Sequence, residues 1–424
     1  MIAAALLATN TLLVIAVVIG FYKAWNIGAN DVANSIGTVV GSGVLTLRQA
    51  ICLASVFEFL GAILVGSHVT ETIKGGIVSL DLFADQPMVF GLGMLSVALA
   101  TAIWLNIATA MSHPVSVTQS TVGGIIGFAM VCAIGGTACV QWRQLGLVVL
   151  TWMISPALGG LGAYLMYRAI VQWVFKSADP LQKAKHAVPL GVAVTVSILL
   201  LSATYKGLPR ITIDLPLHQL LGMTLVLALV LYVAARWVIA VRTRKAPTVG
   251  GDAYAAVEKW FGSLQVLTAC YMAFAHGAND VSSAIGPLAG SMQAFRGQDL
   301  SLEVPASPWL LAFGGIGIVV GLSTYGYKVI ATVGKKITEI TPTRGFSAAF
   351  ATATTVLVCS KLGLPISTTL TSVGAILGVG LARGFASLDL RIVREIFTSW
   401  IITVPISGFF TAVIYWIFLA LCGV

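Results

Sequence analysis

The sequence predicts an all-α polytopic membrane protein of about twelve transmembrane segments, built as an inverted-topology repeat with broken or re-entrant helices. Three observations predict it. Of the 424 residues, 58% are hydrophobic and 9% are charged, with a mean hydropathy of +0.96, whereas a soluble domain carries roughly 25% charged residues. Long apolar stretches recur along the whole chain. And "GANDVANSIG" at 28–37 returns as "GANDVSSAIG" at 277–286, with seven of ten positions identical at an offset of 249.

A spanning helix needs about 20 apolar residues. Twelve segments qualify, near 9–27, 48–67, 88–111, 114–138, 145–174, 187–204, 216–241, 260–278, 308–333, 345–360, 364–382 and 396–422. The fourth and eleventh fit a re-entrant course as well as a spanning one. Loops after odd-numbered segments carry 17 Lys and Arg residues and loops after even-numbered segments carry 6, with Lys23 inside a segment. Basic loops stay in the cytoplasm, so both termini are expected outside. The net charge of +9 is therefore read as membrane topology, with no nucleic-acid partner expected. The first segment lacks a basic n-region and runs straight into the motif, so it reads as a spanning helix and not a cleaved signal. The six cysteines stand in apolar context without a C-x-x-C pair and read as small buried hydrophobes.

Two further stretches recur in the same order. "PVSVTQSTVGGIIG" (114–127) matches "PISTTLTSVGAILG" (365–378) at seven of fourteen positions, and "TWMISPALGG" (151–160) loosely matches "SWIITVPISG" (399–408). The chain is thus duplicated: residues 1–175 form a first repeat, 255–424 a second, and 176–254 link them through two extra segments and a loop. The motifs follow segments 1 and 8, an odd separation, so the halves are expected to cross the membrane in opposite directions. Secondary transporters use this architecture, with the ligand at the repeat interface.

The motif residues carry the chemistry. Asp31, Glu58 and Asp280 are the acids that stand in or beside apolar segments without an obvious loop. A charge there costs about 2.5–3.5 kcal/mol, which makes function the default reading over a helix cap. Gly, Ala, Asn and Asp continue a helix poorly, so each motif suggests an unwound turn whose carbonyls and carboxylate coordinate a hard cation such as sodium. Protonation of the same carboxylate is the alternative. Pro114 and Pro365 suit a first helical turn. Ser116, Thr118, Ser120 and Thr121, and Ser367, Thr368, Thr369 and Thr371, would line two helix N-termini with hydroxyls, a natural anion site. His113 and His276 adjoin the motifs; packing or a backbone bond is the favoured reading for each.

At these residues the sequence resembles the inorganic phosphate transporter (PiT) family, through the duplicated Gly28–Ser35 and Gly277–Ala284 motifs and the downstream "PVSVT" and "PISTT". The resemblance covers essentially the whole chain. It implies a cation-coupled phosphate symporter, a homodimer in the bilayer, without a cofactor other than sodium, or a proton, as co-substrate. It further implies Asp31 and Asp280 as cation ligands with Asn30 and Asn279 beside the ligand, and Ser116, Thr118, Ser367, Thr368 and Thr369 as phosphate-binding residues. Glu58 also falls where many members carry glutamate. Gln119 and Leu370 stand where many carry histidine, and "GFSAA" (345–349) where some carry a glutamate. The short central loop (242–259) fits a prokaryotic plasma membrane.

Other classes fit less well. The chain has no G-x-x-x-x-G-K-[ST] loop for ATP. An intramembrane aspartyl protease would want a G-x-G-D context, and a passive anion channel would not line its path with acids; an enzyme is not expected. A sulfate permease of the same fold is the nearer alternative. Hydroxyls and amide oxygens accept as well as donate, and a carboxylate accepts from a phosphate OH, so phosphate is expected over sulfate.

Overall fold

The computed structural model describes residues 2–67, 77–132, 136–204, 216–244, 253–300, 307–331 and 339–423. His68 and the loop residues Lys74, Lys206, Arg210, Lys245, Lys335 and Lys336 lie outside the described residues. Thirteen α-helices follow one another among those described: α1 Ile2–Gly41, α2 Leu47–Val65, α3 Pro87–Ala110, α4 Val117–Val131, α5 Trp142–Ile170, α6 Pro180–Thr204, α7 Leu217–Arg244, α8 Ala253–Phe295, α9 Pro308–Thr324, the five-residue α10 Tyr327–Ala331, α11 Pro342–Lys361, α12 Thr368–Arg383 and α13 Leu390–Cys422. Each of the other twelve overlaps one expected segment, and α10 falls within the ninth, 308–333, which is broken between Thr324 and Tyr327. Seven are long and apolar enough to cross a membrane: α1, α2, α3, α5, α6, α7 and α13. This is a multi-pass membrane protein. Helices α4 and α12, at 15 and 16 residues, rise only about 22–24 Å against a hydrocarbon core of about 30 Å. They are the two segments whose sequence fits a re-entrant course as well as a spanning one.

Local sequence sets the helix starts. Proline occupies the first turn of α3, α9 and α11, where its missing N–H costs nothing. Pro114 and Pro365 differ from expectation: they sit in the connection before the helix, and Ser116 and Ser367 are the caps, accepting from the Gln119 and Leu370 N–H groups. A serine oxygen accepts from an orphan amide at the helix start, and a proline side chain has no acceptor to offer. The turns before them, 111–116 and 362–367, are copies. Ser112 and Gly363, 251 residues apart, both take the left-handed conformation, at φ 61° and 69°.

The motif helices are not unwound. Gly28–Gly37 lies inside the 40-residue α1, and Gly277–Gly286 inside the 43-residue α8. The glycines serve close approach instead. A Cβ on Gly28 would overlap the Ile318 carbonyl of α9, and one on Gly277 would overlap the Glu58 carbonyl of α2. One turn away the relation is repeated from the other side, Gly61 against the Phe274 carbonyl and Gly321 against that of Trp25. The flanking helices are therefore exchanged between halves: α2 packs on α8, and α9 on α1. The pair α4 and α12 behaves alike, with Gly127 against Gly408 of α13 and Gly378 against Gly160 of α5. Contacts between α1 and α8 run in opposite senses: Gly20 meets Leu288, Asp31 meets His276, and Thr38 meets Gln265. The two motif helices are antiparallel. Among the cysteines, Cys132, Cys139 and Cys270 are buried as expected, whereas Cys52 and Cys422 are exposed, near the ends of apolar helices where either environment is tolerated.

Backbone contact at these crossings leaves no room for one more carbon. Gly61→Ala and Gly321→Ala should each lower stability by about 1–3 kcal/mol through overpacking, read as a fall in melting temperature of the purified protein. Gly146→Ala, where nothing lies within 4 Å of the added carbon, should leave it unchanged or raise it. Equal behaviour of the three would contradict the packing account.

Candidate functional site

The two short helices bring their preceding turns together at the α1–α8 crossing. Thr118 Oγ1 donates to the Ile366 carbonyl at 2.8 Å, and Thr369 Oγ1 to the Val115 carbonyl at 3.3 Å. Thr118 and Thr369, like Val115 and Ile366, are 251 residues apart, so the repeat makes one bond twice. The motif asparagines pin the same turns. Asn30 donates to Thr109 Oγ1 at 2.9 Å and to the His113 carbonyl at 3.1 Å, and accepts from the Val115 N–H at 3.1 Å. Asn279 donates to the Ile366 carbonyl at 3.1 Å and accepts from Ser360 Oγ at 3.2 Å. Thr109 and Ser360 again differ by 251.

The carboxylates lie against these turns, both fully buried. Thr368 Oγ1 is 2.9 Å from Asp280 Oδ2 and 3.4 Å from Asp31 Oδ2, and Thr369 Oγ1 is 3.2 Å from Asp31 Oδ1. Asn34 donates to Thr369 Oγ1 at 3.0 Å. His276 departs from expectation: instead of a packing residue it is the hub of the acids. Its Nε2 lies 2.7 Å from Asp280 Oδ2 and 3.9 Å from Asp31 Oδ2, and its Nδ1 lies 3.2 Å from Glu58 Oε1. Glu58 also accepts from Ser35 Oγ at 2.8 Å. A hydrogen bond to a charged group contributes about 1.5–3 kcal/mol, so one hydroxyl donor per carboxylate, Thr369 to Asp31, Thr368 to Asp280 and Ser35 to Glu58, offsets much of an insertion cost of about 2.5–3.5 kcal/mol. The signal for His276 was in the sequence: it precedes Asp280 by four residues, one helical turn on the same face. Asn34 and Ser35 stand three and four residues after Asp31, on its face for the same reason.

All eleven residues anticipated for the site are buried, and Asp31, Asp280, Asn30, Asn279, Glu58, Thr118, Thr368 and Thr369 share one hydrogen-bonded cluster. Ser116 and Ser367 contribute as helix caps, which leaves each hydroxyl proton free to donate. Gln119 is the exception. Its Oε1 accepts no hydrogen bond from a described residue, and the same holds for Asn34 Oδ1 and Glu58 Oε2. One ligand atom from each of Asp31, His276 and Asp280 falls within a 4.8 Å set, the spacing of a metal-ion site. Orphan acceptors beside a carboxylate pair suit a cation. The helix starts suit an anion. A cavity of about 460 Å³ is lined by Trp104, His113 and Val115 and, from α13, by Arg391, Arg394 and Glu395.

The repeat also makes the cluster testable. Thr118→Val removes one hydroxyl bond between the turns and should cost about 1 kcal/mol; Thr369→Val removes a hydroxyl whose one proton is shared between the Val115 carbonyl and Asp31, together with the acceptor of Asn34, and should cost about 2 kcal/mol. Melting of the two variants in detergent reads the difference, and a larger loss for Thr118→Val would contradict this geometry.

Residues 27–411 match the model of the phosphate transporter family. The inorganic phosphate transporter 2-1, chloroplastic, of Arabidopsis thaliana is 43% identical over 433 residues, spanning 97% of this chain and 73% of that one. A solved structure described as the sodium-dependent phosphate transporter superposes with a TM-score of 0.86 at 40% identity, covering 96% of this chain and 99% of the other. The family match over most of the chain, the identity along nearly its whole length and the shared fold agree: the chain belongs to the phosphate transporter family.

Proposed function

We propose that this chain imports inorganic phosphate by symport with sodium, from one site shared by two oppositely oriented halves, residues 1–175 and 255–424, joined by 176–254. The observation that carries the reading is the bonding of Thr368 and Thr369 to Asp280 and Asp31. These hydroxyls belong to the anion-binding end of α12, and the acids to the cation pair. A sodium ion held by Asp31 and Asp280, with Asn30 and Asn279 alongside, neutralises the carboxylates and frees the threonine protons. The freed donors, with Ser116, Thr118 and Ser367 and the first-turn amides, then meet the phosphate oxygens. Without the cation, the acids repel the anion and keep its donors. Each substrate thereby raises the affinity for the other.

The antiparallel course of α1 and α8 supports the inverted relation of the halves, and the family relative's sodium dependence supports the choice of cation. In this reading the chain is a homodimer in a prokaryotic inner membrane with both termini outside. The α13 cavity then faces the cytoplasm and gives phosphate its exit past Arg394. Impermeant labelling of a cysteine placed at either terminus in intact cells reports that orientation, and labelling only after permeabilisation would reverse it.

Radiolabelled phosphate uptake into proteoliposomes, with sodium and proton gradients imposed separately, tests the function. A sodium gradient should drive uptake. Asp31→Asn and Asp280→Asn should abolish it while the protein stays folded. Tenfold excess arsenate should compete strongly and tenfold excess sulfate hardly at all. Uptake driven by protons alone would replace the cation, sulfate uptake without phosphate uptake would replace the anion, and normal uptake by both variants would remove the site.

A further inference from the structure

Lys23 is a buried charge that this cycle leaves unused. It sits on α1 eight residues before Asp31 and is fully buried. Its ammonium donates to Thr121 Oγ1 at 3.2 Å. None of the ion pairs among the described residues involves it. An ammonium has three donors, so two are left without an acceptor among the described residues. A lysine is normally tolerated at such depth by reaching water or by pairing with an acid. Lys23 does neither.

Packing does not require it. In the repeat, "YKAWNIGAND" (22–31) aligns with "YMAFAHGAND" (271–280), and the counterpart of Lys23 is Met272, also fully buried. An apolar side chain of similar length fills the equivalent position in the other half. Charge, then, is what Lys23 adds, and it adds it beside one anion-binding helix alone. Thr121 lies on α4 three residues beyond Thr118, one turn inside the end capped by Ser116. That is a rise of about 4.5 Å, within the sweep of a four-carbon stem. The neighbouring site holds three carboxylates, Asp31, Glu58 and Asp280, which an incoming anion must face. The orphan oxygen of Gln119, on the same turn of α4, leaves a further acceptor for a protonated anion oxygen.

We propose that the Lys23 ammonium is a resident cation of the anion site, which leaves Thr121 to pair with oxygens of a phosphate bound at the first turn of α4. It offsets the acids that the first half-site must keep, and it makes the two half-sites unequal: an ammonium paired with the bound anion at α4, and hydroxyls held by the acids at α12. The ligand class is a tetrahedral oxyanion with at least one ionised oxygen. This rests on α4 forming part of the phosphate site.

The test uses the full chain in proteoliposomes, unsubstituted and as Lys23→Met, which copies the counterpart position. Lys23→Gln, neutral but still a donor to Thr121, is the second variant. Phosphate KM is measured at saturating sodium, and sodium-induced thermal stabilisation is measured without phosphate. In both variants KM should rise about tenfold or more, while the sodium response keeps its midpoint. A phosphate KM like that of the unsubstituted chain in either variant overturns the proposal. So does loss of the sodium response together with phosphate affinity in both, which would make Lys23 a residue of the fold. No phosphate uptake by the unsubstituted chain would remove the parent reading, and this one with it, before any variant is compared.

Discussion

Asp31 and Asp280 meet across the α1–α8 crossing, where neither water nor a lipid headgroup can solvate them. Each needs hydrogen-bond donors brought to it, and the rest of the architecture supplies them. His276 reaches both acids from α8. Thr368 and Thr369 reach them from the first turn of α12, which requires a helix to begin in the interior of the protein. A helix can begin there only if its preceding turn is held. Asn30 and Asn279 hold the two turns, and Thr118 and Thr369 tie each to the other. Backbones must then cross closely enough for side chains this short to connect, which is the work of Gly28, Gly277, Gly61 and Gly321. Remove the acids and none of these polar contacts has a reason to be buried.

The repeat explains the shape of the site, and its breaks explain the charge. The Thr118–Ile366 and Thr369–Val115 bonds, and the Asn30–Thr109 and Asn279–Ser360 pairs, are counterparts 249–251 residues apart. Three ionisable residues around the acids have no such counterpart: His276 corresponds to Ile27, Lys23 to Met272 and Glu58 to Ile318. Two equivalent half-sites would bind two equivalent ligands. A symmetric frame carrying an asymmetric set of charges binds one ligand in one orientation, with different groups on its two sides.

Much of this was legible in the sequence, and the parts that were not share a cause. Twelve apolar segments and two copies of GANDV and of P-x-S-x-T identify the elements, the duplication and eight of the clustered residues, because spacing along one helix is a local property. The continuous course of α1 through Gly28–Gly37 was not legible. Glycine and asparagine disfavour a helix in isolation, but the backbone of α9 packed on Gly28 overrides that preference. Nor was the exchange of α2 and α9 between halves, which depends on glycines facing carbonyls far away in sequence. His276 lay between these cases. Its spacing from Asp280 was visible, but its contact with Glu58 arises from the packing of α2 on α8.

The central claim is that both halves together make a single anion site. Equilibrium binding of phosphate to the purified chain in saturating sodium tests it most directly. The account predicts one phosphate per chain, with an affinity that falls when sodium is withdrawn. Two equivalent phosphates per chain, or one whose affinity is indifferent to sodium, would contradict it.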